Sequence, residues 1–228
     1  MPVQDDERET QLVQLFNLTV PDDRRRDETD AYLELPDGSS VPFELKSTSG
    51  ASISTVRDFG PAHVRKWQGM HWLFGFYDPT GNRLLYCHYG SPAAMREWVA
   101  GRWAYVRPDW ELARTAPQRI GLAEVEAILG ARESYTLQDA RAIQKRQYSR
   151  AEYRSRVDLP NSEYSPEAMI AILRDRATYL MERGATLNNP KIPATYFIGW
   201  ERIVRDHAAR LRELHAEASA LGDPPPLI

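Results

Sequence analysis

Apolar residues recur at helical spacing early in the chain, at Leu12, Val13 and Phe16, and predict a short amphipathic helix within the first 20 positions. The charged run Asp22-Asp23-Arg24-Arg25-Arg26-Asp27-Glu28 reads as a solvated loop. From Thr29 the period changes to two. Asp30, Tyr32 and Glu34 alternate with Ala31, Leu33 and Leu35, and Pro36-Asp37-Gly38 supplies a turn. Val41, Phe43 and Leu45 then alternate with Glu44, Lys46 and Thr48, which completes a β-hairpin with one apolar face. A turn centred on Asp37 opposes Leu33 to Val41, Ala31 to Phe43 and Asp30 to Glu44. A turn centred on Gly38 opposes Leu33 to Phe43 and Asp30 to Lys46. Both registers bury the apolar face and gather Asp30, Glu44 and Lys46 on the other.

A Gly- and Ser-rich loop runs from Ser47 to Gly60, and Pro61 to Gln68 has the composition of a short helix with proline in its first turn. Strands are predicted at His71–Tyr77 and Arg83–Tyr89, joined by Asp78-Pro79-Thr80-Gly81-Asn82. Beyond Ser91 the period is helical, with helices expected over Pro92–Val99, Leu122–Leu129, Leu137–Tyr153, Pro166–Glu182 and Tyr196–Leu221. The expected fold is mixed α/β, with a core in residues 1–90 and a helical region in residues 91–228 packed on it. Asn188-Asn189-Pro190-Lys191-Ile192-Pro193 reads as a connection between helices.

With 228 residues, 42% of them hydrophobic and 27% charged, the chain can bury a core without help from disulfides or a structural metal. Cys87 is the only cysteine, which excludes an intrachain disulfide and a cysteine-built zinc cage. No run of 18 apolar residues occurs, and the first residues are polar and acidic, so neither a membrane span nor a secretory leader is expected. A cytoplasmic location follows as the expectation. The net charge of −3 is uneven: residues 1–46 hold twelve acids against five bases, leaving the remainder net basic. Arginine outnumbers lysine 25 to 4, so each of Lys46, Lys66, Lys145 and Lys191 draws interest.

Two carboxylates and an ammonium at one strand end have a chemical use. Mg²⁺ takes hard oxygen ligands, commonly one or two carboxylates with waters and substrate phosphate. Such an ion can bind a scissile phosphate and acidify an attacking water. A lysine beside it can neutralise charge growing on the phosphoryl oxygens or help position and deprotonate that water.

Asp30 followed by Glu44-Leu45-Lys46 in the next strand resembles the PD-(D/E)XK nuclease superfamily, and type II restriction endonucleases in particular. The resemblance covers residues 10–90, and the hairpin is its specific part. It implies a restriction-endonuclease-like core of helix, β-meander, helix and strand, carrying a helical C-terminal portion. It also implies Asp30, Glu44 and Lys46 as catalytic residues, with Mg²⁺ held by Asp30, Glu44 and the backbone carbonyl of Leu45. Thr29 stands where the family often has proline, and Pro21-Asp22 makes Asp22 a rival first ligand. The implied activity is site-specific hydrolysis of double-stranded DNA, with a homodimer matching a palindromic target. A repair or nicking nuclease of the same fold, or a non-catalytic DNA-binding protein, are the alternatives. No G-x-x-x-x-G-K-[ST] loop occurs, so no nucleotide cofactor is expected.

Groups suited to phosphate contact lie in two places. Ser47, Thr48, Ser49 and Arg57 sit in the loop after Lys46, where hydroxyls, backbone N–H groups and an arginine are the usual backbone donors. Arg65 and Lys66, on the next helix, are expected to be solvated. The segment 141–156 holds six basic residues against Glu152 alone, and Arg146, Arg150 and Arg154 recur every four residues. On one continuous helix these, with Lys145, would form a basic stripe facing DNA.

Overall fold

The computed structural model describes residues 2–21, 28–222 and 224–228. Asp22, the rival ligand, lies outside the described residues. The chain forms two compact units, Met1–Ala104 with Leu187–Ile228, and Tyr105–Thr186. The sequence pattern divides the chain near residue 90. The compact units divide it at residues 104 and 186, with the final segment returning to the first unit.

The first unit opens with α1 (Pro2–Phe16) and the hairpin β1 (Ala31–Glu34) and β2 (Ser40–Thr48). A short β3 (Ser52–Ser54), α2 (Pro61–Trp67), β4 (His71–Tyr77) and β5 (Leu84–Gly90) follow, and then the first part of α3 (Pro92–Thr115). The principal sheet is four-stranded and mixed, in the order β1-β2-β4-β5. β1 and β2 are antiparallel in the register centred on Asp37, with Ala31 opposite Phe43 and Leu33 opposite Val41. β2 and β4 are parallel, Glu44 lying beside Trp72 and Lys46 beside Phe74. Parallel neighbours need a crossover connection, and the segment carrying β3 and α2 supplies it.

Period two decides what each face of the hairpin touches. Ala31, Leu33, Phe43 and Leu45 are buried with Leu12 and Phe16 of α1. They share that core with Leu211 of α8 (His207–Ala220). β4 is buried on both faces, as a central strand with a parallel neighbour should be. Trp72 and Phe74 pack with Trp67, Trp98, Phe197 and Trp200. Where Leu12 crosses β4 the partner is Gly75, and a Cβ there would meet Leu12 at 3.2 Å and Tyr77 at 3.1 Å. Gly75→Ala is therefore expected to cost about 1–3 kcal/mol by overpacking, read as a lower urea midpoint at unchanged m.

Several expected elements are redrawn. The serine-rich loop is not wholly irregular: β3 pairs antiparallel with β6 (Lys191–Pro193), so the 188–193 segment is a strand partner as well as a connection. Thr55 reinforces the pairing by donating its hydroxyl to the Pro190 carbonyl at 2.6 Å. α3 runs past Val99 to Thr115 and holds Pro108 inside it. The helix expected over Tyr196–Leu221 is a 3₁₀ turn at Ala194–Phe197 and then α8. Between them Ile203 exchanges both backbone hydrogen bonds with Cys87 at 2.9 Å, so an edge strand has drawn the chain out of helix.

The second unit holds the rest of α3, α4 (Leu122–Leu129), α5 (Leu137–Gln144), α6 (Arg150–Ser155) and α7 (Pro166–Ala185). Tyr135, Tyr153, Tyr164, Met169 and Ile172 form its core. The helix expected over Leu137–Tyr153 breaks after Gln144, because Lys145 and Arg146 turn left-handed at φ +51° and +63°. Ser149 then caps α6, its hydroxyl accepting from the Glu152 N–H while Glu152 accepts from the Ser149 N–H. A Ser-x-x-Glu capping box starts a new helix there rather than prolonging the old one. The continuous stripe through Arg146, Arg150 and Arg154 is therefore absent.

Candidate functional site

Asp30 sits where β1 gives out beside β2. Its own N–H still donates to the Phe43 carbonyl at 3.1 Å. The next donor along β2, the Leu45 N–H, is met by the Asp30 carboxylate at 2.7 Å. The side chain thus continues the ladder where the strand cannot, and that contact fixes a carboxylate at the head of the hairpin.

Glu44 and Lys46 lie two residues apart on one face of β2. Lys46 Nζ stands 2.8 Å from Glu44 Oε1 and 3.5 Å from Asp30 Oδ2. It also donates to the Leu45 carbonyl at 3.0 Å. One ammonium is thus surrounded by the three oxygen groups that the resemblance implies for a metal. The site holds a fourth charge that the sequence did not indicate. Lys66 reaches back from α2 to within 2.9 Å of Glu44 Oε2 and donates to the Glu28 carbonyl at 2.9 Å. Its expected place in solvent is corrected: its side chain is 23% exposed and holds an ion pair with a buried acid.

Glu44 is 2% exposed, and burial of that depth opposes its charge. Lys46 and Lys66 outweigh the burial and bring its carboxyl below the usual range. Burial opposes the Lys46 charge as well, yet Glu44 and Asp30 overcome it and raise the ammonium above its ordinary value. As arranged here the amine keeps its proton and serves as a cation. His63, next to this cluster on α2, is pushed down by burial, against the pull of Glu44.

The donor set fits a hard cation. Asp30, Glu44 and the Leu45 carbonyl supply only oxygen, and Glu44 Oε2 is buried without accepting a hydrogen bond of normal angle, even with Lys66 Nζ nearby. Among the described residues no group of three or more His, Cys, Asp or Glu is placed to hold a metal. An ion here would rest on two carboxylates, one carbonyl, and oxygens from water or substrate, which is the habit of Mg²⁺.

A cavity of about 280 Å³ opens beside Lys46, lined by Glu9, Leu12, Leu45, Lys46, Ser47, Ser54 and Thr55, and of the trio Lys46 alone is among its lining residues. Glu9 on α1 escaped sequence reasoning, because nothing in local spacing ties α1 to the hairpin. Ser47 lines this cavity, and Ser49 and Arg57 are exposed on the loop beyond. Thr48 is turned inward: its hydroxyl donates to the Ser52 carbonyl at 2.8 Å and accepts from the Gly50 N–H at 3.0 Å. That pair shapes the loop. Lys145, Arg146, Arg150 and Arg154 are all exposed in the second unit.

No protein-family model matches the sequence, and no curated protein matches it at a significant level. No helix among the described residues is long and apolar enough to cross a membrane.

Proposed function

We propose that the protein is a Mg²⁺-dependent endonuclease of the PD-(D/E)XK type that hydrolyses phosphodiester bonds in double-stranded DNA, and that it acts as a type II restriction enzyme. The observation that carries this reading is the convergence of Asp30, Glu44 and Lys46 at the head of one hairpin, with Lys46 lining a polar cavity open to a ligand. The order of helix, hairpin, helix and strand in residues 2–77 supports it, with β2 and β4 parallel on either side of the α2 crossover.

The bound ion would supply Lewis acidity and a more acidic water. Asp30, oriented by the Leu45 N–H, and Glu44, buried on β2, would hold it with the Leu45 carbonyl. Lys46 places a fixed positive charge where the phosphoryl oxygens gain negative charge, and a preorganised donor of this kind counts for most where water is excluded. Lys66 balances the second oxygen of Glu44 and keeps that carboxylate ionised. Ser47 and the exposed residues of the following loop, Ser49 and Arg57, are suited to the flanking phosphates. A palindromic target would call for a homodimer, one active site per strand.

Incubating the purified protein with intact phage DNA and Mg²⁺, with EDTA in a parallel tube, tests the proposal. Discrete fragments with ends at one short sequence are expected, and sequencing those ends gives the target. Nicks confined to mismatched or modified DNA would move the protein to the repair class. Binding without any metal-dependent cutting would overturn the enzymatic reading.

A further inference from the structure

The second unit carries a cavity of about 260 Å³ lined by Arg141, Arg146, Tyr148, Arg150 and Tyr153. Three arginines line it from three pieces of chain: α5, the turn after it, and the first residue of α6. The turn brings them together. Lys145 and Arg146 both hold left-handed backbone, which residues with side chains adopt rarely and which gathers at ligand clamps. A straight helix through residue 153 would instead have spread these arginines along one face.

The acids nearby are engaged with other groups. Asp175 pairs with Arg156 at 2.6 Å and accepts the Tyr148 hydroxyl, Asp139 pairs with Arg132 at 3.2 Å, and Glu152 caps α6. Arg141, Arg146 and Arg150 have no ion-pair partner among the described residues. Like charges facing one cavity repel, and an anion between them removes the conflict. Tyr148 and Tyr153 meet edge to face at 5.3 Å, and the Arg141 guanidinium lies 5.9 Å from the Tyr153 ring centre, which gives the cavity a firm wall.

We propose that this cavity grips one phosphate group of a nucleic-acid backbone through Arg141, Arg146 and Arg150. Guanidinium forks match phosphate oxygens two at a time, which three lysines could not do. The volume lies below the ~300–1,000 Å³ of sites that enclose larger ligands, so a single phosphate with its adjoining sugars is the proper scale. Lys145 is exposed nearby without lining the cavity, and it extends positive charge that a polyanion can use and a lone phosphate cannot. The proposal rests on the nuclease reading only for the identity of the polyanion, and not on the chemistry of the hairpin.

The test uses the full chain in EDTA, so that no turnover occurs, with a labelled short DNA duplex followed by anisotropy from ~50 to ~200 mM KCl. Arg141→Gln, Arg146→Gln and Arg150→Gln should each weaken binding by about tenfold, the loss expected for a charged hydrogen bond. The triple variant should reduce the salt slope by about 0.9, the share of the one phosphate it no longer holds. Arg154→Gln, outside the cavity, should change affinity by less than about twofold. All four side chains are exposed, so the variants should fold. An Arg154→Gln loss equal to the other three, or no loss in those three, would overturn the site. Inorganic phosphate binding the wild type as tightly as the duplex does would overturn the backbone assignment. Binding that depends on the three arginines, in a protein that never cuts DNA with Mg²⁺, would uphold this cavity while refuting the nuclease reading.

Discussion

Lys46→Ala should lower metal-dependent DNA cleavage by about 10²–10³-fold, the effect of removing one preorganised charge from a developing oxyanion. The same change should cost stability, because it leaves the deeply buried Glu44 with Lys66 as its remaining cationic neighbour. Breaking a buried pair by deleting one partner costs about 3–5 kcal/mol, and the residual pairing with Lys66 puts this case near the lower end. Loss of activity alone therefore proves little, and the decisive comparison holds the fold constant. Glu44→Gln preserves shape while removing the charge that both lysines and any metal require, and it should abolish cleavage. Both variants, assayed at a temperature where each is shown to be folded, should still bind duplex DNA in Ca²⁺. Asp30→Ala should be inactive for loss of a ligand and of the Leu45 contact, whereas Asp22→Ala should retain activity. Cleavage retained in both Lys46→Ala and Glu44→Gln would sink the assignment of this hairpin. Loss in Asp22→Ala but not in Asp30→Ala would reassign the first ligand and leave the chemistry intact.

Acid should weaken the first unit through His71 before it reaches the carboxylates. His71 is 8% exposed, its Nδ1 lies 2.7 Å from the Tyr89 hydroxyl, and its ring lies 5.1 Å from that of His215. Burial first, and the neighbouring His215 second, depress it from 6.5 to about 4. The unfolded chain thus takes up a proton between pH 6.5 and 4 that the folded chain refuses. Stability is complete above about pH 6.5 and falls as pH drops toward 4, by about 3 kcal/mol at 1.36 kcal/mol per pH decade. Glu44 acts with the same sign at lower pH: its contribution is present above about 4.5 and is lost as pH falls through its depressed folded value. Urea midpoints measured at pH 7, 6, 5 and 4 should show the decline in wild type. His71→Phe removes the titrating ring while keeping an aromatic beside Phe43, and it should make the curve shallower across this window, leaving the smaller decline due to His63, His88 and His207, which burial also lowers. Equal slopes in the two proteins would place the acid sensitivity elsewhere.

Period two alone located the hairpin, and its turn residues allowed only two registers. Alternation then compelled Glu44 and Lys46 to share a face, whichever register held. Strand β4 was readable to the residue from its apolar run, and α4 from its periodicity, because both signals are local and strong. What local signals could not carry came from distance along the chain. Both registers put Phe43 and Leu45 on the buried face, so alternation could not choose between them, and only the folded pairing of Ala31 with Phe43 does. Lys66 looked like a surface cation until the crossover set α2 above the hairpin, within reach of Glu44. The serine-rich segment became a strand only because residues 191–193 return to pair with it, and Ile203 left helix because β5 offered an unpaired edge. The Ser149–Glu152 capping box was present in the sequence and was overridden there by a longer helical period. The tertiary fold decided where the arginines point, since two left-handed residues turn an expected stripe into a cavity. Periodicity is set by each residue's immediate neighbours, whereas partners for charges and strand edges are set by segments the chain brings together only on folding.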